Sequence, residues 1–152
     1  MKVILRLIPV CPLALAALLA PAPVAGQECV FDGGSTTVEP CYLAVALRSP
    51  GSVSADLHFT NVGQALRSYT VVSSEPSCTK YVPHPWLSPN WAQLQIPPLG
   101  SSTLSLVFSA SGELKEGAYK AWLCLDAQPP FAVPVWFTYG DPLFINGFDL
   151  TD

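Results

Sequence analysis

Val53-Ser54-Ala55-Asp56-Leu57-His58-Phe59-Thr60 places apolar side chains at odd positions and polar side chains at even positions. This period of two is typical of a β-strand with one buried face. Six further segments have strand-like sequences, and turn residues rich in Pro, Gly and Ser separate them: 42–47, 68–73, 91–96, 103–108, 118–125 and 131–139. The pattern predicts a single all-β antiparallel sandwich of about seven strands over residues 42–140.

Length and composition exclude several classes of protein. The chain has 152 residues, half of them apolar and only 12% charged, so we exclude a disordered tail and a large multidomain enzyme. Residues 27–152 carry five basic and eleven acidic side chains, a net charge of −6. That charge disfavours binding to nucleic acid or to anionic membranes.

The first 26 residues have the layout of a secretory signal peptide. Lys2 and Arg6 precede an apolar stretch of 14 residues, 7–20. This stretch is shorter than a membrane-spanning helix, which needs about 20 residues. Cleavage is expected after Gly26, with a cut after Ala25 as the alternative. We therefore expect a secreted protein that keeps no transmembrane anchor.

The mature chain keeps an even number of cysteines, which allows three disulfide connectivities: Cys29, Cys41, Cys78 and Cys124. We favour Cys29–Cys41, which would close an N-terminal loop over residues 27–41, and Cys78–Cys124, which would join a Pro-rich segment to a distant strand. No Cys-x-x-Cys pair is present, so a metal site is disfavoured.

Short motifs along the chain follow an order that resembles a known class of module. They are Asn61-Val62-Gly63, Trp86-Leu87-Ser88-Pro89, Gly117-Ala118-Tyr119 and Val133-Pro134-Val135. Together they resemble the immunoglobulin-like repeat modules of bacterial secreted and surface proteins, the class of ASH-type and BACON-like domains. The resemblance implies an immunoglobulin-like fold, and Tyr119 resembles a structural tyrosine corner. In that class the module usually repeats or accompanies an enzyme, whereas this sequence holds one copy.

The C-terminal tail, 141–152, contains Phe144-Ile145-Asn146-Gly147-Phe148-Asp149. This stretch resembles an Ile-Phe-x-x-Gly-Phe-Glu/Asp element of secreted proteins from Gram-negative bacteria. Two interpretations stay open: an Asn-Gly turn whose aromatic side chains fold back on the sandwich, or a sorting or attachment tag. The resemblance favours a protein exported to the periplasm or the medium of a Gram-negative bacterium.

Side chains suited to catalysis are few and separated in the sequence. His58 lies in an alternating strand, His84 lies between two prolines, and Glu113 and Glu116 lie in a charged turn. Neither a G-x-S-x-G nucleophile motif nor a phosphate-binding glycine motif occurs. We expect a protein that is not an enzyme and needs no cofactor.

Aromatic side chains are the better candidates for a contact surface, since exposed rings can stack on sugars or anchor protein partners. The candidates are Tyr81, His84, Trp86, Trp91, Trp122 and Trp136. Strand parity places Trp91, Trp122 and Trp136 opposite the inward-facing residues. If Cys124 shares their face, the 78–124 bridge would hold the Pro-rich segment 81–90 over that face and bury most of the tryptophans.

These observations predict a non-catalytic module that binds a protein or a cell-envelope component through its edge strands and the 81–90 loop. A carbohydrate-binding module that uses exposed aromatic rings on a polysaccharide is the alternative. Inhibition of a secreted hydrolase by the rigid loop is a further alternative. Free edge strands would also allow self-association.

Overall fold

The computed structural model describes residues 27–140. The signal peptide expected at 1–26, with Cys11, and the tail at 141–152 lie outside the described residues. Ten strands follow one another along the chain: β1 (Cys29–Phe31), β2 (Thr36–Glu39), β3 (Leu43–Leu47), β4 (Gly51–Asn61), β5 (Arg67–Ser74), β6 (Leu87–Ser88), β7 (Trp91–Ile96), β8 (Ser101–Ala110), β9 (Gly117–Leu125) and β10 (Phe131–Tyr139).

The strands form two five-stranded sheets. The first sheet has the order β1-β2-β4-β8-β6, and the second has the order β3-β10-β9-β5-β7. Neighbouring strands are antiparallel except β3 and β10, which run parallel from the Leu43–Val135 pair to the Leu47–Tyr139 pair. The chain thus changes sheet between β2 and β3, so that β3 becomes an edge of the second sheet.

The all-β sandwich predicted from the sequence is confirmed. Each of the seven predicted segments corresponds to one strand whose bounds differ from the prediction by at most two residues: β3, β4, β5, β7, β8, β9 and β10. Three short strands, β1, β2 and β6, were not predicted. Two of them lie in 27–41, the segment expected to be a disulfide-closed loop. They join the first sheet because Val38 pairs with both Cys29 and Phe59.

A proline inside a strand suggests a sheet edge or a bulge, and Pro134 predicts one of the two for the last strand. The bulge is wrong, because β10 pairs with β9 in unbroken register from Phe131 to Tyr139. β10 as a whole is an inner strand between β3 and β9, so the edge position holds only locally at Pro134. Pro134 pairs with Trp122 of β9, whereas β3 begins pairing only at Val135. The missing N–H of proline is tolerated since no strand pairs with Pro134 on the β3 side.

Inward-facing residues of the two sheets form one core. Fully buried side chains at its centre include Leu57, Phe59, Phe108, Val135 and Phe137. Their positions confirm the parity read from the sequence, in which odd residues of both 53–60 and 131–139 face inward. The alternation of each strand therefore also identifies which residues lie on the two outer faces.

Both favoured disulfides are confirmed. Cys29–Cys41 joins β1 to the segment after β2 with a Cα–Cα distance of 5.2 Å, and Cys78–Cys124 joins the 75–81 turn to β9 at 5.5 Å. Both Cα–Cα distances are usual for disulfides. Cys124 is buried on the outward side of the second sheet, so its bridge holds the 75–81 turn against that side.

Among the described residues, no helix is long and apolar enough to cross a membrane.

Candidate functional site: the tryptophan face

The outer faces of the two sheets differ in chemistry. On the first sheet, hydroxyl-bearing side chains predominate and pair across strands, as between the hydroxyls of Ser52 and Ser109 at 2.9 Å. On the second sheet, Trp136 of β10, Trp122 of β9 and Trp91 of β7 all have outward parity. We call the outer surface formed by these three residues and Tyr81 the tryptophan face.

Register places the three tryptophans in a diagonal row. Trp136 is opposite Lys120, so Trp122 is its diagonal neighbour on β9, at the usual spacing of about 7–8 Å between diagonal residues. Trp122 is opposite Ser74 of β5, and Trp91 is opposite Val72 two residues before it. Trp91 therefore lies about 12 Å from Trp122, given the usual strand spacing and rise per residue. Three large rings thus cross four strands of a rigid sheet.

The tryptophans differ in exposure. Trp91 is 56% exposed and Trp136 is 40% exposed, whereas Trp122 is partly buried and Trp86 is 4% exposed. The expectation that most tryptophans are buried beneath a clamped loop is therefore wrong for Trp91 and Trp136. The disulfide fixes the 75–81 turn beside them and leaves both rings accessible to solvent.

Trp136 lies among aromatic and aliphatic neighbours. Its ring centroid is 6.2 Å from that of Tyr42, and Nζ of Lys120 lies 6.0 Å from the ring centroid, within the range of a cation–π contact. Ala44 of β3 pairs with Trp136 and is exposed. Neither Tyr42 nor Lys120 was among the residues predicted for a contact surface, although the even-numbered position of Lys120 shares the outward parity of Trp122.

Trp91 has more polar surroundings. It pairs with Val72, which lines a shallow groove of about 390 Å³ together with the Cys78–Cys124 bridge and the polar residues Thr70, Asp126 and Gln128. Gln93, two residues after Trp91, donates from Nε2 to the hydroxyl of Thr70 at 3.1 Å. Asp126 accepts the N–H of Thr70 at 2.6 Å, so this groove has an ordered polar margin.

The 81–90 loop places its aromatic residues in two different environments. Tyr81 is 52% exposed and pairs with Ser74, and so continues the row of Trp122 towards the sheet edge. Trp86 instead enters the core, with ring centroids 5.5 Å from Phe137 and 5.1 Å from His84. Of the loop candidates, only Tyr81 therefore joins the tryptophan face.

Asn90 holds this loop in place. Its Oδ1 accepts the N–H of His84 at 2.8 Å, and its Nδ2 donates to the carbonyls of His84 and Leu87 at 3.0 and 2.8 Å. Burial lowers the pKa of His84 below its usual value, because the charged imidazolium loses hydration beside Trp86. The loop is ordered by hydrogen bonds rather than by its prolines alone.

The residues considered for catalysis lie on different elements. His58 is on the outer face of β4, where Nδ1 is 3.1 Å from the hydroxyl of Thr103, whereas His84 is in the 81–90 loop. Glu113 and Glu116 belong to the turn between β8 and β9. Within residues 27–140, no group of three or more His, Cys, Asp or Glu side chains could hold a metal ion.

Two motifs of the resemblance have structural roles. Oδ1 of Asn61 accepts the N–H of Gly63 at 2.9 Å, and its Nδ2 donates to the carbonyl of Ala65 at 2.7 Å. Tyr119 donates its hydroxyl hydrogen to the carbonyl of Lys115, four residues earlier, as expected of a tyrosine corner. These residues fix turns at the ends of the sandwich and lie outside the tryptophan face.

Comparison with known proteins gives similarities of fold at low sequence identity. No protein-family model matches the chain, and no curated protein matches it. Among solved structures, the PapD-like (ASH) domain 7 of human CEP192 has 11% identity and a TM-score of 0.48, with 91% of this chain and 96% of that chain covered. The E. coli chaperone DraB has 10% identity and a TM-score of 0.49, with 69% and 55% covered.

The Pseudomonas aeruginosa CupB2 chaperone has 11% identity and a TM-score of 0.48, with 67% of this chain and 54% of that chain covered. The present chain thus spans about half the length of these two chaperones. The human domain carries the name of the ASH class that the sequence motifs resemble, whereas the BACON-like resemblance and the tail element remain predictions.

Proposed function

We propose that the exported chain is a non-catalytic interaction module that binds a protein of the cell envelope through its tryptophan face. One observation carries this proposal: Trp91 and Trp136 are both exposed on one face of a five-stranded sheet, with Trp122 between them. Exposed tryptophans on a rigid surface are typical of binding hot spots, since each ring buries a large apolar area when a partner covers it.

The surroundings of Trp136 favour a protein partner. Pro134, Ala44 and Tyr42 give this end of the face an aliphatic and aromatic surface with few hydrogen-bonding groups. Such a surface suits the apolar core of a protein–protein interface better than it suits a hydroxyl-rich glycan. Lys120 adds a positive charge beside the ring in a mature chain whose net charge is −6.

Binding to isolated Gram-negative envelopes tests the proposal. Oxidised protein starting at Gln27 should sediment with envelopes, and protease treatment of the envelopes should abolish its sedimentation. W136A should weaken the apparent affinity for envelopes at least tenfold, as expected when a hot-spot side chain that contributes about 1.4 kcal/mol or more is removed. Ser105→Ala on the opposite sheet is the matched control. Equal sedimentation of W136A and S105A would contradict the proposal.

A second candidate function, polysaccharide binding, is favoured by the surroundings of Trp91. The exposed ring lies beside Gln93 and the polar groove of Thr70 and Asp126, and sugar recognition combines ring stacking with such polar groups. Titration of tryptophan fluorescence with a panel of soluble polysaccharides distinguishes the candidates. A saturable change that W91A abolishes and W136A retains would favour the glycan, as would protease-resistant envelope binding.

Inhibition of a secreted hydrolase by the 81–90 loop stays a prediction. The central ring of that loop, Trp86, lies in the core, and no contact surface around it favours this function over the other two.

A further inference from the structure

The free edge of β3 is uncharged and apolar. Its sequence, Leu43-Ala44-Val45-Ala46-Leu47, contains no charged residue and no proline, the two devices that proteins use most often to protect an edge strand. The other edge strands are shorter or partly occupied. In the first sheet, β1 has three residues and β6 has two. At the opposite edge of the second sheet, on β7, the carbonyl of Gln95 accepts a hydrogen bond from the hydroxyl of Ser102. β3 is therefore the edge of the described sandwich best suited to pair with another strand.

Burial along β3 indicates that this edge is incomplete. Val45 and Leu47 have the same parity as buried Leu43 and face the interior side, yet both are partly exposed. Ala44 and Ala46 face outward, and both are exposed. An additional strand beside β3 would cover the two larger side chains and would meet only methyl groups on the outer side.

We propose that the occupant of this edge is a second copy of the chain, with the two β3 strands paired antiparallel about a two-fold axis at Val45. The sequence of β3 is a palindrome, so this pairing places residues of equal size opposite each other: Leu43 opposite Leu47 of the other copy, Ala44 opposite Ala46, and Val45 opposite Val45. Residues directly opposite in antiparallel strands share a face, so apolar side chains meet inside and alanines meet outside.

Charge at the ends of the strand fits the same register. Arg48, which is exposed, falls opposite Tyr42 of the other copy and can donate to its hydroxyl or stack on its ring. The two Arg48 side chains then stand about 20 Å apart, because six residues of extended chain separate their positions. Like charges are thus kept apart in a chain that is acidic overall.

The dimer joins the second sheets of the two copies into one continuous sheet of ten strands. The tryptophan faces then lie on the same side, with the small residues Ala44 and Ala46 of both copies between the two Trp136 rings. This inference goes beyond the proposed function, since it concerns the edge of the sheet and not the ligand of its face. Its consequence would be a bivalent surface.

Two matched double variants test both the dimer and its register. A44K/A46K places lysines directly opposite lysines across the two-fold axis, whereas A44K/A46E places each lysine opposite a glutamate. Sedimentation equilibrium should show a concentration-dependent dimer for the wild type and for A44K/A46E, and a monomer for A44K/A46K. Mixing A44K/A46K with A44E/A46E should restore the dimer. All substituted side chains are exposed, so the melting temperatures should change little.

Other outcomes would overturn the inference. A wild-type monomer at about 100 μM, well above the Kd of a weak interface, would exclude the dimer. A dimer that A44K/A46K and A44K/A46E weaken equally would exclude the register about Val45. Dimerisation that appears only after removal of 141–152 would show that the tail occupies the edge instead. Envelope binding by W136A is a separate readout, so failure of the dimer leaves the proposed function intact.

Discussion

The hydroxyl of Tyr69 donates a hydrogen bond of 2.7 Å to Oδ2 of Asp32. Tyr69 belongs to β5 of the second sheet, whereas Asp32 lies in the tight turn between β1 and β2 of the first sheet. Arg67 reaches the same carboxylate oxygen at 3.0 Å, and the hydroxyl of Thr36 lies 2.8 Å from that of Tyr69. This cluster joins the N-terminal segment to the opposite sheet.

Tyr69→Phe should lower the free energy of unfolding by about 1–3 kcal/mol at pH 7, because it removes a hydrogen bond to a charged, partly buried acceptor. Denaturation by guanidinium chloride, followed by circular dichroism, measures the change. Tyr81→Phe is the control, since the exposed hydroxyl of Tyr81 should matter by less than about 0.5 kcal/mol. Equal effects of the two substitutions would contradict the role assigned to the Asp32 cluster.

Alkaline pH should weaken the same cluster. Burial raises the pKa of Tyr69 to about 12, and the neighbouring carboxylate of Asp32 contributes, whereas an unfolded tyrosine ionises near pH 10. The unfolded chain thus releases this proton first, so the stability that the neutral hydroxyl provides is complete below about pH 10 and is lost towards pH 12. Urea unfolding from pH 8 to 12 should show a steeper decline for the wild type than for Y69F. If the free energy of unfolding declines equally with pH in the wild type and in Y69F, the raised pKa of Tyr69 is contradicted.

Strand parity was predictable because each sheet has one buried face. The alternation in 53–60 identifies Leu57 and Phe59 as core residues, and both are fully buried. The outward parity of Trp91, Trp122 and Trp136 follows from the same alternation. What parity does not determine is whether another segment covers that face, since coverage depends on tertiary contacts of the 75–81 turn.

Other features escaped prediction because no periodicity of the sequence indicates them. Strands β1, β2 and β6 have two to four residues, too few for a period of two to be recognised. Trp86 lies in a loop between prolines, where no periodicity indicates its direction, and its burial depends on tertiary packing against Phe108 and Phe137. Pairing of β3 with the C-terminal half of the last strand, from Val135 to Tyr139, is non-local, so the sequence gives no sign of it.

The two disulfides should contribute unequally to stability. On the chain-entropy estimate, Cys78–Cys124 with a separation of 46 residues stabilises by about 4 kcal/mol and Cys29–Cys41 with a separation of 12 by about 3 kcal/mol. C78A/C124A also leaves a cavity at buried Cys124, which widens the difference. Guanidinium chloride unfolding of the two double variants measures both losses. A larger loss for C29A/C41A would contradict this ranking.

Tryptophan substitutions should separate the core ring from the rings of the face. Trp86→Ala should cost about 3–5 kcal/mol of unfolding free energy, because it removes a buried ring. W91A and W136A should each cost only about 1 kcal/mol, since about half of each side chain is already exposed to solvent in the folded protein.

Fluorescence gives an independent measure of the same difference. Iodide should quench much of the wild-type emission, whereas the W91F/W136F variant should emit at shorter wavelength and resist quenching. Emission that is equally quenchable in the two proteins would mean that the rings of the face are not the exposed ones.

Acid should weaken the contact of the 81–90 loop with the core. Nε2 of His84 is buried without a hydrogen-bond partner among the described residues, and the imidazole ring packs 5.1 Å from the centroid of Trp86. Burial lowers the pKa of this imidazole, whereas an unfolded histidine has a pKa of about 6.5. Below about pH 6.5 the unfolded chain binds the proton more readily than the folded chain. The contribution of neutral His84 to the free energy of unfolding is therefore complete above about pH 6.5 and is lost as the pH falls towards the lower pKa of the folded protein.

His84→Gln removes this titration while keeping a polar side chain and the backbone bonds to Asn90. The free energy of unfolding should therefore fall more steeply between pH 7.5 and 5 for the wild type than for H84Q. At pH 7.5, where His84 is neutral, the two proteins should differ by no more than about 1 kcal/mol, since one polar side chain replaces another at the same partly buried position. Urea unfolding is followed by tryptophan fluorescence, which reports the loop through Trp86. If the free energy of unfolding falls equally with pH in the wild type and in H84Q, the lowered pKa of His84 does not contribute to stability.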